Sequence, residues 1–371
     1  MVHILELPDF KPHCKVTIAD VVLDLSYTYA VESGVISIEQ LSRTLFAAQG
    51  CTAKTWGKCL RASPSAGATY PLQAYVETRL VEGLQHGVYQ YVSPSPFKHL
   101  LEQISNKLPE GLGSFTVYFE ENFEKTTGVY GRRGYMYVRE ELGHAVQSII
   151  LESSALNLAA KVRYVESSST RVSCYVDIGL RGVRLQEKSF PVSSLPDPRP
   201  PSLCLEEAIS IRRSVRKYSQ APVSSQEVSS ILLWSLAGEP RPYPPLDGGY
   251  RINCYLVTRF VDGLRPGVYK YEPTTHRLES IGAGDYTRKL ADACLSQEWV
   301  ARAALNIILC TPSTEDLAAE IEAGMVGQNL YLSATSLGLG TVAVGAFFDD
   351  EVASVLGVSE RPLYVFPIGR Q

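Results

Sequence analysis

The stretch Val81-Glu82-Gly83-Leu84-x-x-Gly87-Val88-Tyr89-x-Tyr91 returns 180 positions later as Val261-Asp262-Gly263-Leu264-x-x-Gly267-Val268-Tyr269-x-Tyr271, with seven of the eight fixed residues identical. A chain of 371 residues is longer than one typical core supports, and self-similarity at a long interval says how it divides: into two copies of one unit. Other segments keep the correspondence with small shifts. Ile38-Glu39-Gln40-Leu41 up to Gly50 lies against Ser225-Gln226-Glu227-Val228 up to Gly238, 188 apart at the glycines. Glu141-Leu142-Gly143 up to Gln147 lies against Glu322-Ala323-Gly324 up to Gln328, 181 apart. Between the copies, Phe190 to Pro201 holds five prolines, which favour an extended connector over helix or sheet. The expected division is a first domain at 15–188, a proline-rich linker at 189–201 and a second domain at 202–371.

Within each copy the apolar spacing alternates between helical and strand periods. Residues 37–49 and 224–237 read as amphipathic helices, and 139–160 and 318–337 as longer ones. Leu72 to Thr78 and Cys254 to Thr258 read as strands, as do the apolar runs at 304–310 and 363–369. Helices flanking a modest sheet in each copy make an α+β fold. Two fused copies are expected to pack face to face about a pseudo-two-fold, as an intramolecular pseudo-dimer that stays monomeric or pairs into a further homo-oligomer.

Composition narrows the function. Apolar content of 45%, charged content of 20% and a net charge of −4 describe an ordinary globular chain with no basic stripe for nucleic acid. No apolar run approaches membrane-spanning length, and Met1 to Phe10 lacks a secretory pattern. The eight cysteines form no Cys-x-x-Cys pair and have no histidine at ligand spacing, so free thiols in a reducing cytoplasm are expected, with no metal.

Chemistry concentrates in two places. Arg212-Arg213-Ser214-Val215-Arg216-Lys217-Tyr218 gathers guanidinium forks and a hydroxyl suited to phosphate oxygens, although alone such a run reads as a solvated basic turn. Arg61-Ala62-Ser63-Pro64-Ser65-Ala66-Gly67-Ala68-Thr69-Tyr70-Pro71 is a loop of small residues that lets a flat ligand approach the backbone. Together with Tyr130-Gly131-x-Arg133-Gly134-Tyr135-x-Tyr137 and Leu337-Gly338-Leu339-Gly340 ahead of Gly345-x-Phe347, these stretches resemble the nitroreductase superfamily. Its SagB-type dehydrogenase branch, which includes thiazole- and oxazole-forming oxidases, is the nearest likeness, and the resemblance covers nearly the whole chain.

That resemblance implies FMN bound between two nitroreductase-like domains, with NAD(P)H as a transient donor over the same ring. Arg212, Arg213, Ser214 and Arg216 of the second copy would hold the phosphate, together with Gly338, Gly340, Val344 and Gly345. Pro64, Ser65, Ala66 and Gly67 would come from the first copy, and Arg370 would add charge near the phosphate. The reciprocal set has decayed. In it Asp24, Leu25, Ser26 and Thr28 stand for the arginine motif, Asn157 and Ala159 for the glycines, and Pro244-Pro245-Leu246-Asp247 for the loop. One FMN per chain is therefore expected.

The implied catalytic segment, Thr127 to Tyr137, keeps Tyr130 but has Val129 where azoline-oxidising relatives have lysine. Tyr130 is the candidate proton donor, with interface packing its equal alternative; Glu141, Gly143, His144 and Gln147 read as packing along one helix. The expected activity is hydride transfer between FMN and a small-molecule or peptide-derived substrate. The alternatives are a thiazoline or oxazoline dehydrogenase and a flavin-holding partner without turnover.

Overall fold

Each half opens its principal helix with the same local device. Ser37 caps Ile38–Gln49 by accepting the Gln40 N–H, while the Gln40 side chain reaches back to the Ser37 N–H. Ser224 and Glu227 do the same for Ser225–Leu236. These caps stand 187 residues apart, one off the register read from Gly50 and Gly238, because the second helix is followed by Ala237 before its glycine. The computed structural model describes residues 4–12, 15–55, 57–105, 111–166, 171–190 and 194–371. Cys14 and residues 191–193 of the connector lie outside them; the other seven cysteines are free thiols.

The fold is α+β, with two large antiparallel sheets. Across the first, the strands run Ile4–Glu6, Lys98–Ser105, Gly87–Ser95, Leu72–Thr78, Phe115–Glu121, Cys174–Arg184 and Tyr29–Glu32, with Leu158–Tyr164 also paired to Cys174–Arg184. The second runs Arg277–Ala283, Gly267–Glu272, Asn253–Thr258, Leu305–Thr311, Arg361–Arg370 and Leu339–Thr341. From Lys98–Ser105 and from Arg277–Ala283 onward the two orders agree for five strands, and the strands that follow the long helices, Leu158–Tyr164 and Leu339–Thr341, pair with the fifth in each. The repeated Gly-Val-Tyr-x-Tyr is the second strand of each series, and its alternating residues bury Tyr89, Tyr91, Tyr269 and Tyr271.

Two long helices, Gly134–Ala155 and Leu317–Ser336, lie between the sheets and cross at Gly143 and Gly324. A Cβ on Gly143 would stand 1.9 Å from the Ile321 carbonyl oxygen, and one on Gly324 would stand 2.0 Å from that of Glu140, so only hydrogen fits at either position. Polar side chains clasp the crossing: His144 Nδ1 with Gln328 Oε1 at 3.1 Å, Gln328 Nε2 to Ser148 Oγ at 2.9 Å, and Gln147 Nε2 to Asn329 Oδ1 at 2.9 Å. Burial pushes His144 down to about 3, so it is a neutral partner in this clasp. One apolar core continues through the crossing, from Leu142 and Val146 to Ile321 and Met325.

A smaller repeated device was not legible in the sequence. His99 takes Ser42 Oγ at 3.0 Å and the Tyr91 hydroxyl at 2.9 Å, and Ser42 donates to the Pro8 carbonyl. In the other half His276 takes Ser229 Oγ at 2.9 Å and the Tyr271 hydroxyl at 2.6 Å, and Ser229 donates to the Pro196 carbonyl. The connector around Pro196 is thus fastened to the second half as the start of the chain is to the first. Arg199 adds an ion pair to Glu227 at 2.6 Å. Among the described residues, no helix is long and apolar enough to cross a membrane.

Candidate active site

The loop after the hairpin Cys51–Thr55/Lys58–Arg61 is folded onto itself before it meets anything else. Ser63 Oγ donates to the Ala48 carbonyl at 2.7 Å, Tyr70 N–H donates to Ser65 Oγ at 3.0 Å, and Arg61 N–H donates to the Tyr70 hydroxyl at 3.3 Å. The Arg61 guanidinium lies 5.1 Å from the Tyr70 ring centroid. Gly67 takes a φ of +57°, which glycine adopts freely, but Ala68 and Tyr70 are also left-handed, at +52° and +46°. The loop is therefore a shaped, strained wall.

The arginine stretch approaches this wall from the other half, and its members divide the work. Arg212, only 4% exposed, donates from Nε to the Ala62 carbonyl at 2.8 Å and from Nη2 to that of Arg61 at 3.0 Å. Its guanidinium stands 5.0 Å from the Tyr331 ring centroid. Arg213 reaches the hairpin, donating to Thr52 Oγ1 at 3.1 Å and to the Thr52 carbonyl at 3.3 Å. Both arginines hold the first half's loop in place, and neither lines the cavity. Ser214 and Arg216 do line it.

Between wall and stretch lies a cavity of about 220 Å³. It brings together Pro64, Ser65, Ala66, Gly67, Tyr130, Ser214, Arg216, Val344 and Gly345 of the expected residues. Gly338, Gly340 and Arg370 lie elsewhere for identifiable reasons. Gly338 ends its helix at φ +71°, a job that left-handed Asn157 at +58° performs equally in the first half. Gly340 makes room for Val215, whose Cγ1 would stand 2.6 Å from an added Cβ. Arg370 is held by the buried Glu227 carboxylate at 2.7 Å.

The cavity also has a back wall that sequence reasoning left out: Tyr137, Glu141, Gln297, Tyr331 and Tyr364. Tyr331 is keyed in place, because its hydroxyl meets Ser214 Oγ at 3.0 Å and accepts the Ala343 N–H at 2.8 Å. Tyr137 fills the space a side chain would take at Gly345, and its hydroxyl is pushed up to about 12, chiefly by burial. Burial also raises the Glu141 carboxyl to about 8, with the Ser65 hydroxyl and Arg61 pulling the other way. Tyr130 packs its hydroxyl against Gly67 and its ring on Tyr137, centroids 5.2 Å apart, while neighbouring Val129 is 63% exposed. The four-residue spacing of Tyr137 and Glu141 on one helix, with a helical tyrosine ahead, was the available signal.

Electrostatically the site is one-sided. Among the described residues no carboxylate pairs with Arg212, Arg213 or Arg216, and burial lowers the guanidinium pKa of the first two. Arg212 and Arg213 spend donors on oxygens of the first half, so Arg216 and Ser214 are the members of the stretch whose donors face the cavity. The other half differs at each counterpart. Asp24 pairs with Arg181 and accepts the Tyr29 hydroxyl at 2.6 Å. The Tyr27 hydroxyl donates to the Arg241 carbonyl, and Tyr243 and Tyr250 pack there with centroids 5.4 Å apart. Tyr243 stands where the first loop has Ser63, whereas Tyr250 answers to Tyr70 and accepts the Arg241 N–H as Tyr70 accepts that of Arg61.

A planar ring with an anionic tail fits these features: small residues along one wall, aromatic rings behind, and cationic and hydroxyl donors at one end. Comparisons with known proteins give the family. The nitroreductase family model matches residues 209–370. MJ1384, a nitroreductase-family protein of Methanocaldococcus jannaschii, is 36% identical over 180 residues, which are 45% of this chain and 91% of that protein. The solved structure of a nitroreductase-family protein from Anabaena variabilis shares the fold with a TM-score of 0.75 at 21% identity, covering 90% of this chain and 88% of the other.

Proposed function

The chain belongs to the nitroreductase family, and from that premise we propose an FMN-dependent oxidoreductase of the SagB-type branch, made of two fused copies of one domain with a single FMN between them. The observation that carries this reading is the unpaired arginine stretch of one half facing the Pro64–Gly67 wall of the other. The fusion is supported by the shared strand order, by the paired Ser–His–Tyr devices and by a relative that 45% of this chain nearly spans. The domains are read as residues 15–188 and 202–371, with the connector's Pro196 to Arg199 fastened to the second.

When bound, FMN would supply two-electron hydride exchange at its ring. The chain's own residues set the conditions. Arg216 and Ser214 would take the phosphate, with Arg216 as the exposed fork and Ser214 aligned by the Tyr331 hydroxyl. Ser65 to Gly67 would press on one ring edge and the Val344–Gly345 backbone on the other. The Tyr130 and Tyr137 rings would limit water at the open side, where a small molecule or the end of a peptide enters. NADH or NADPH would use that same opening. Azoline oxidation is not part of this reading, because Val129 carries no proton.

Anaerobic mixing of the FMN-loaded protein with NADH or NADPH tests the proposal. Bleaching of the flavin absorbance, followed by its return on adding a quinone or a nitroarene, is expected. A flavin that stays oxidised with both donors would instead mark a flavin-holding protein without turnover.

A further inference from the structure

The two copies carry the same glutamate at the same place on their long helices, Glu141 and Glu322, and the structure gives them different work. Glu322 accepts the Arg251 N–H on both oxygens, at 2.9 and 3.0 Å, and the Ile252 N–H at 3.1 Å. It is a fastener for the turn entering the strand Asn253–Thr258. In the first half Arg251 corresponds to Pro71, 180 positions earlier, and proline has no N–H to give. The bond made by Arg251 therefore cannot form there, although Leu72 at the place of Ile252 keeps its N–H. Glu141 is instead a wall of the cavity, 3% exposed, with Oε1 lacking a hydrogen-bond partner among the described residues.

We propose that Glu141 is the proton-exchanging residue of this cavity, giving a proton to, or taking one from, the substrate atom next to the one that exchanges hydride. This rests on the flavin reading above. In the reducing direction the Glu141 O–H bond breaks and its proton goes to the heteroatom of an unsaturated carbon–oxygen, carbon–nitrogen or nitrogen–oxygen bond. The reduced flavin, when bound, would supply the hydride to the other atom of that bond. Two electrons leave the cofactor, the bond is reduced by one order, and the electron pair stays on the carboxylate, which regains a proton from water at the mouth. Oxidation runs the same transfers backwards.

Several observations converge on this residue. Val129 is exposed and carries no titratable proton, and the Tyr130 hydroxyl is packed on Gly67. Tyr137 and Glu141, one helical turn apart, present a ring and an acid to the same space. The groups facing Glu141 are Ser65, Tyr70, Arg61 and Lys125, with Arg216 in the same cavity. Burial outweighs these cations, so the carboxyl is mostly neutral up to about pH 8 and can serve as acid and, once ionised, as base near neutrality.

Glu141→Gln keeps the shape and removes the proton. Its FMN content and circular dichroism are expected to match the parent, while turnover falls by about a hundredfold or more and the alkaline limb near pH 8 vanishes from the rate profile. Glu141→Asp, retaining an acid, should recover part of the rate and the limb. In the flavin-free protein, infrared difference spectra against Glu141→Gln should show a protonated carboxyl band that disappears with a midpoint near pH 8. Unchanged turnover and pH profile in Glu141→Gln, or no such band, would overturn the assignment. If the parent itself shows no flavin turnover, the underlying reading fails, and the infrared titration still decides whether this carboxyl holds an exchangeable proton.

Discussion

Replacing Arg212 with alanine is expected to release the first half's loop and, with it, the flavin. The side chain makes two charge-assisted bonds, to the Ala62 and Arg61 carbonyls, each of a kind that contributes about 1.5–3 kcal/mol. Against that stands relief from burying a guanidinium with no carboxylate partner, a cost of several kcal/mol before the ligand is counted. The net loss in folding stability is therefore modest, about 1–3 kcal/mol. Flavin affinity should suffer more. Arg212 fixes a wall whose residues hold strained left-handed angles, and a wall off by a fraction of an ångström no longer matches a flat ring. A drop of at least about a hundredfold in FMN affinity, roughly 2.7 kcal/mol, is expected in a fluorescence titration. Ser26→Ala is the control, since Ser26 answers to Ser214 by position and its hydroxyl donates to the Ile150 carbonyl. Equal losses from the two variants would show that the halves do not divide the site in this way.

The second large effect is at the helix crossing. Gly143→Ala gains about 1 kcal/mol of helix propensity, yet its Cβ would meet the Ile321 carbonyl oxygen at 1.9 Å and Gly324 Cα at 2.8 Å. Both are backbone atoms and cannot swing aside, so the helices must part. Parting them stretches the His144, Gln147, Ser148, Gln328 and Asn329 clasp and opens the core beneath it. A destabilisation of about 3–5 kcal/mol is expected in chemical denaturation, at the upper end for single substitutions. Gly128→Ala offers the contrast: it is helical with nothing within 4 Å, and should raise stability by up to about 1 kcal/mol. A Gly143→Ala protein as stable as the parent would mean the helices do not touch backbone to backbone.

What could be read beforehand follows from which signals are local. The Gly-Val-Tyr-x-Tyr repeat carries strand alternation in itself, so the second strand of each sheet was visible and its neighbours followed from their shared order. The Gly143 and Gly324 pair was visible as a match, but that the two glycines face each other is a tertiary fact. The Ser–His–Tyr devices escaped because the hairpin after Tyr271 is shorter: His276 follows it by five residues, while His99 follows Tyr91 by eight. At the site, residue type named nine residues that share one cavity and others that the fold places elsewhere. Arg212 and Arg213, expected at a phosphate, hold the opposite wall and hairpin. Glycine in Leu-Gly-Leu-Gly suggests close approach to a ligand, yet the approach is to Val215. Glu141 looked like Glu322, and the missing N–H of Pro71 is the difference that the sequence itself carries.

That one composite site is the claim from which the rest follows, and counting flavin tests it most directly. Purified protein saturated with FMN, freed of excess and measured by absorbance against chain concentration, should hold one FMN per chain. Arg216→Ala should reduce that content under the same conditions, since no carboxylate among the described residues competes for its guanidinium. Two FMN per chain would contradict the account, because the space around Tyr27, Tyr243 and Tyr250 would then be a working site as well.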